Sequence, residues 1–330
     1  MTKDRLQLLL GGRRPDRMPF FPFARGFCSR TVGYTIGSLY SDPKKSFWAQ
    51  LWTREMYDHD ETLKSSGEWE QSISVIRYPV QSEEDVEKLK LPEVKTAGIV
   101  PLAMEFSRLQ RQHGLTVTAL VGSPFSIAGN VCGLERLARW LIKKPQLAHR
   151  LLRLATDFGI ELARYWVATF GTDNVEIRDG MPSDSNKMIS PRNFQEFALP
   201  YLKELHEKVL SMGVKYIYTH VCGEQNANLP YLAQVPFGNP GIVGFGHEVD
   251  TADAIRYFGE SCIIVGNVQP IVIQNGTPQQ VYELARQAIE KGKKAPRGFI
   301  LGTGCELPPM SPPYNVYMMR KATEDFGWYA

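Results

Sequence analysis

Long apolar runs are missing from this chain. The N-terminal stretch MTKDRLQLLLGGRRPDR holds three consecutive leucines and nothing longer, far short of a secretory core or of the roughly 20 apolar residues that span a bilayer. No membrane association and a cytoplasmic location are therefore expected. Charge of one sign is equally scarce: 38 Lys and Arg against 35 Asp and Glu leave a formal +3, interspersed along the chain, which argues against a nucleic-acid surface. The densest basic stretch, Lys291 to Lys294, reads as a solvated helix end. No Pro/Ser/Gly-rich linker, internal repeat or low-complexity tract divides the 330 residues, so residues 1–330 are expected to form one domain with a large core. The five cysteines, an odd number without a small-protein framework, point away from disulfides and toward buried thiols or metal ligands.

What the chain does have is alternation. Short apolar runs at 18–24, 117–122, 174–178, 215–220, 242–245, 262–265 and 298–301 read as strands. Helical periodicity fills 134–142, 145–170, 193–212, 252–257 and 278–291. Strands alternating with helices predict a parallel sheet. No Gly-rich dinucleotide fingerprint follows the first strand, so an α/β fold of the single (β/α)8 TIM-barrel type is expected rather than an open doubly wound sheet. Residues 40–91, with three Trp and an expected hairpin at 72–80, read as an irregular N-terminal insertion over the barrel mouth. Four prolines after Cys305 precede a last helix and make a rigid hand-off from the final strand.

In such a barrel the reactive residues belong at the C-terminal strand ends. One strand ends in His220-Val221-Cys222-Gly223, and residues two apart on an extended segment project to the same side. Another ends in Gly302-Thr303-Gly304-Cys305, and barrel closure brings distant strand mouths within side-chain reach. His220, Cys222 and Cys305 together make the three-ligand set that leaves a catalytic zinc one open position. Two thiolates would offset the charge of the zinc and suit alkyl transfer to sulfur better than water activation. A buried cysteine beside a hydrogen-bonded histidine is the plainer reading of His-x-Cys alone. The third soft ligand between glycines is what weakens it. Cys28, Cys132 and Cys262 lack such settings and read as packing residues.

With these residues in place the sequence resembles the uroporphyrinogen decarboxylase superfamily, and within it the zinc-dependent corrinoid methyltransferases that use a His-x-Cys and distant Cys motif. The likeness runs through DRMPFFPF, GSPFSIAGNVCGLERLARWLIKKPQLAHRLL, ISPRNFQEFALPYLKEL, HVCG, IVGNVQPIVIQNGTPQQVYELA and GFILGTGCELPPMSPPYNVYMM. It implies a methyltransferase whose mouth accepts the corrinoid (cobalamin) of a separate carrier protein and places it opposite a zinc-bound small-molecule thiol. Related proteins instead demethylate a methyl donor such as an aryl methyl ether or halomethane, so the resemblance leaves direction and donor open. A decarboxylase, or a barrel that binds a tetrapyrrole without catalysis, is the other reading. Against the decarboxylase, the family's arginine-rich loop is replaced by ARGFCSRTVGY, with Arg25 and Arg30 as the remaining candidates for carboxylate binding. Its Gly-His-Gly is here Gly302-Thr303-Gly304.

A fourth ligand could come from Asp179, Glu176 or Glu248. For Asp179 a cap or loop hydrogen bond is the alternative, and for Glu176 a buried pair with Arg178 or a lysine. Arg25, His247, Asn267 and Tyr218 are candidates for the substrate or corrinoid pocket. His247 could equally be a solvated loop residue, Asn267 a turn holder, and Tyr216 and Tyr218 packing under the outer helices. Trp48 and Trp52, four apart on an expected helix, fit a lid, a docking surface or core packing.

Overall fold

The computed structural model describes residues 4–65 and 78–329. Seven strands make one parallel sheet in the order β1-β7-β6-β5-β4-β3-β2. They are β1 Phe20–Phe21, β2 Val117–Leu120, β3 Val175–Gly180, β4 Ile217–Val221, β5 Gly241–Phe245, β6 Cys262–Val268 and β7 Phe299–Thr303. Each corresponds to one expected apolar run. Runs such as CIIVGNV and FILGT are buried almost throughout, as a parallel sheet covered on both faces requires.

The sheet curls as in a TIM barrel, and its two ends, β1 and β2, do not pair. Residues 60–65 lie between them. The Asp60 N–H donates to Phe20 O at 2.9 Å, while Leu63 O accepts from Thr118 Oγ1 at 2.7 Å and from Gln110 Nε2 at 2.8 Å. This segment stands where an eighth strand would close the ring, tied to β2 by side chains rather than by a ladder.

Helices cover the sheet. Helix α1 (Arg5–Leu10) inserts Leu6 and Leu9 beneath the inward-facing Phe21, Tyr218, Ile242, Ile263, Val265 and Ile300, closing the bottom of the barrel. Helix α2 (Pro43–Tyr57) starts with Asp42 accepting from the Lys44 and Lys45 amides, a cap worth about 1 kcal/mol. It packs against α3 (Val100–Gln112) and α7 (Pro313–Phe326). Residues 43–65 are thus part of the wall, a correction to the reading of 40–91 as a cover over the mouth. Scattered Trp and charge hide the inward face of α2 in the sequence, yet the helix buries Phe47, Ala49, Gln50 and Thr53. Trp48 and Trp52 do sit on this helix, stacked at 5.6 Å and partly exposed. The expected hairpin at 72–80 falls largely outside the described residues.

Helix α4 (Pro145–Phe170) has the bounds its periodicity predicts and buries Leu151, Leu152, Ala155, Gly159, Ala163 and Trp166. The expected helix over 193–212 instead begins with a π-turn, Phe194–Ala198, before α5 (Leu199–Ser211). Pro200 has no N–H for the regular ladder, which widens the preceding turn. Helix α6 (Pro278–Gly292) opens on a Thr277/Gln280 capping box and packs on β6, β7 and α7. No described helix is long and apolar enough to cross a membrane.

Candidate metal centre

Alternation along β4 turns Tyr218 and His220 inward, and the chain beyond Val221 carries Cys222 to the same rim. Strand β7 delivers Cys305 through Thr303-Gly304. A Cβ on Gly304 would lie 2.8 Å from the His247 N, so this approach needs glycine. The result is one cluster: a ligand atom from each of His220, Cys222 and Cys305, all within 4.8 Å of one another. The two sulfurs are 3.6 Å apart, too far for a disulfide. Zinc–sulfur bonds of about 2.3 Å in a tetrahedron would set them about 3.8 Å apart. His220 Nε2 is buried without a hydrogen-bond partner among the described residues, the state expected of an atom reserved for a metal. Two sulfurs and an imidazole are donors that suit zinc.

The electrostatics of the pair follow from its closeness. Cys305 is held below the usual thiol range, first by the hydrogen bond from Cys222 and then by the His220 ring, against the opposing effect of burial. Cys222 is pushed far up by the same bond, by burial and by the negative charges of Glu248 and Asp184. Burial alone pushes the other thiols up, Cys28 to about 12 and Cys132 and Cys262 to about 11, in keeping with their packing role.

The carboxylates expected as a fourth ligand are not part of the three-residue cluster. Asp179 pairs with Thr219 in the register, so it faces outward. Its Oδ2 meets His206 Nε2 of α5 at 2.8 Å, while His206 Nδ1 faces Pro236 O at 2.8 Å. Glu176 faces inward but four residues below Gly180, the partner of His220, or about 13 Å down the strand. There it pairs with Arg178 and accepts from Tyr216 OH at 3.0 Å. Glu248 stays close enough for its charge to raise Cys222, with Oε2 3.2 Å from His247 Nδ1.

Of the proposed pocket residues, Arg25 is buried and spans Ser65 O and Glu306 Oε2, both at 3.1 Å. Asn267 Nδ2 donates to Val249 O at 2.7 Å and Gly246 O at 3.2 Å, which makes it a turn holder. Tyr218 is buried under the Arg178 guanidinium, 4.5 Å from its ring centroid. His247 is part-exposed on a rim cavity of about 210 Å³ with Asp250, Asn267 and Lys291.

Three features escaped the sequence. Phe23, in the left-handed region at φ 49°, sets its ring edge-on to His220 at 5.2 Å. Lys64 Nζ lies 3.4 Å from the Phe23 ring centroid and pairs with Glu61, which also meets Arg178. Burial pushes Lys64 down to about 8. Asp184 is buried with, among the described residues, the Ser123 and Ser126 hydroxyls as its side-chain donors, at 3.2–3.4 Å. Burial pushes its carboxyl up to about 7. None of these belongs to a local motif, and no spacing in the sequence marks them.

Residues 68–326 match the family described as uroporphyrinogen decarboxylase (URO-D). A methylated-thiol–coenzyme M methyltransferase of Methanosarcina mazei is 29% identical over 238 residues, 72% of this chain and 60% of that protein. The chain therefore spans less than two thirds of that relative. A methylcobamide:CoM methyltransferase MtbA of the same organism is 27% identical over 80% of this chain and 74% of its own. A solved methyltransferase from Methanosarcina mazei superposes with a TM-score of 0.82 over 98% of both chains at 20% identity, a likeness of fold.

Proposed function

The chain belongs to the uroporphyrinogen decarboxylase family, and within it we propose a methyltransferase that moves a methyl group between the corrinoid of a carrier protein and a small thiol. His220, Cys222 and Cys305 would hold a zinc ion, with Glu248 the carboxylate best placed to approach it in the absence of thiol. Bound zinc would keep a substrate thiol ionised yet nucleophilic at neutral pH. In transfer to the thiol, a sulfur–methyl bond would form as the carbon–cobalt bond breaks, both electrons of the broken bond would stay with the corrinoid, and the thiol proton would already have passed to solvent. The relatives named above, a methylcobamide:CoM and a methylated-thiol–coenzyme M methyltransferase, support this reading.

The residues of the chain supply position and environment. Cys222 and Cys305 stand side by side at the rim with their sulfurs 3.6 Å apart, and Cys305 is the thiol that the pairing holds below its usual range. Phe23 closes one side of His220 and shields it from the Lys64–Glu61–Arg178 network beneath. The observation that carries the reading is the convergence of three soft donors from two strand ends, with His220 Nε2 left unpartnered. The test measures zinc content and methylcobalamin demethylation with a panel of small thiols. One zinc per chain and thiol-dependent loss of the methylcobalamin spectrum are expected, with both lost in Cys222→Ser and Cys305→Ser. A wild-type protein that binds no zinc, or whose turnover survives both substitutions, overturns it.

A further inference from the structure

A cavity lies at the opposite end of the barrel. It holds about 330 Å³ and is lined by Leu9, Gly12 and the guanidinium-bearing Arg13, Arg14 and Arg297, with Glu260 as its one acidic wall residue. Its floor is close-packed: Gly298, at φ +104°, sits so near Leu9 that a Cβ there would lie 2.8 Å from it. Lys293 and Lys294 flank it in the same loop and are exposed. Five cations thus gather against one carboxylate, in a molecule whose whole formal charge is +3.

Two of these exposed cations are tethered. Arg297 Nε donates to Glu260 O at 2.9 Å, which leaves its two terminal nitrogens for other acceptors. Arg14 lies over the Tyr329 ring, 5.6 Å from its centroid. Among the described residues no ion pair engages Arg13, Arg14 or Arg297. Guanidinium groups are planar forks that match phosphate oxygens two at a time. Like charges gathered at a solvent-exposed cleft with a single carboxylate among them repel one another, a repulsion that water and salt screen and that a bound anion would relieve further. The volume far exceeds the roughly 30 Å³ share of one water.

From this we propose that the pocket at the closed end of the barrel binds a small diphosphate-bearing anion, bridging the turn after α1, the loop before β7 and the C-terminal segment. The site is separated from the metal cluster by the length of β7 and does not depend on the proposed methyl transfer. Its probe is inorganic pyrophosphate, titrated calorimetrically into the full chain at constant ionic strength. Saturable 1:1 binding with a Kd below 1 mM is expected, weakened at least tenfold in Arg13→Ala/Arg297→Ala and also weakened in Arg14→Gln. Arg139→Ala, at an exposed pair with Glu135 elsewhere, leaves it unchanged. Absence of saturable binding, equal binding of chloride, or equal affinity in the double variant with an unchanged circular dichroism spectrum overturns the assignment.

Discussion

Zinc loading of the metal-free protein at pH 7 is expected to release close to one proton per ion. The sulfurs of Cys222 and Cys305 stand 3.6 Å apart. Two thiolates at that distance repel by about 4–5 kcal/mol at an effective dielectric of 20, equivalent to about three pKa units. Without a cation, one proton therefore stays between them: Cys222 donates it, and Cys305 is the thiolate that accepts it. A metal takes both as thiolates, so the proton of Cys222 is the one that leaves. Two uncoupled thiols near the ordinary value of about 8.5 would be almost fully protonated at pH 7 and would release about two. Calorimetry in buffers of different ionisation enthalpy counts the protons directly. A count near two in the wild type refutes the shared-proton arrangement. In Cys222→Ala the remaining thiol loses its donor and returns toward the ordinary range, so zinc should bind more weakly while still releasing about one proton per ion at pH 7.

Two further expectations concern carboxylates around the site. Burial raises the Asp184 carboxyl to about 7 in the folded protein, well above the ordinary carboxylate range. Its contribution to stability is therefore complete below the unfolded value and is lost as pH rises through about 7. Asp184→Asn keeps the shape and removes the charge. In urea unfolding of metal-depleted protein its advantage over wild type should grow by about 2 kcal/mol between pH 5.5 and 7 and then level off; an advantage independent of pH contradicts this. Asp179→Ala leaves His206 Nε2 buried without its acceptor and should cost about 2–4 kcal/mol in stability. Zinc content should be unchanged, and a variant that folds normally but loses zinc would restore Asp179 to the metal site.

Much of this protein could be read from residue order alone, for a physical reason. A parallel strand buried on both faces must be an apolar run, so all seven strands were visible, and α4 was bounded by Pro145 and Gly171. The metal set was legible because soft ligands are few: five cysteines, of which Cys222 and Cys305 follow the C-terminal ends of strands, whereas Cys262 opens one. Arg178 and Asp179 occupy opposite faces of β3, and Gly180 is the residue paired with His220, so period-two counting alone would have turned Asp179 toward α5.

Other features were decided only when the chain closed on itself. Residues 60–65 carry no strand signature, yet they bridge β1 and β2 because Thr118 and Gln110 reach across to Leu63 O. Asp184 meets Ser123 and Ser126, the cap and first turn of the helix Pro124–Cys132, from 58–61 residues away, and the raised titration of that carboxyl exists only in this buried environment. Arg13, Arg14 and Arg297 likewise share a cavity because α1 plugs the barrel beside the start of β7. Pattern along a chain records which face each side chain must present to an apolar interior. Which distant polar groups then find one another depends on the curvature of the sheet, and sequence spacing carries no record of that distance.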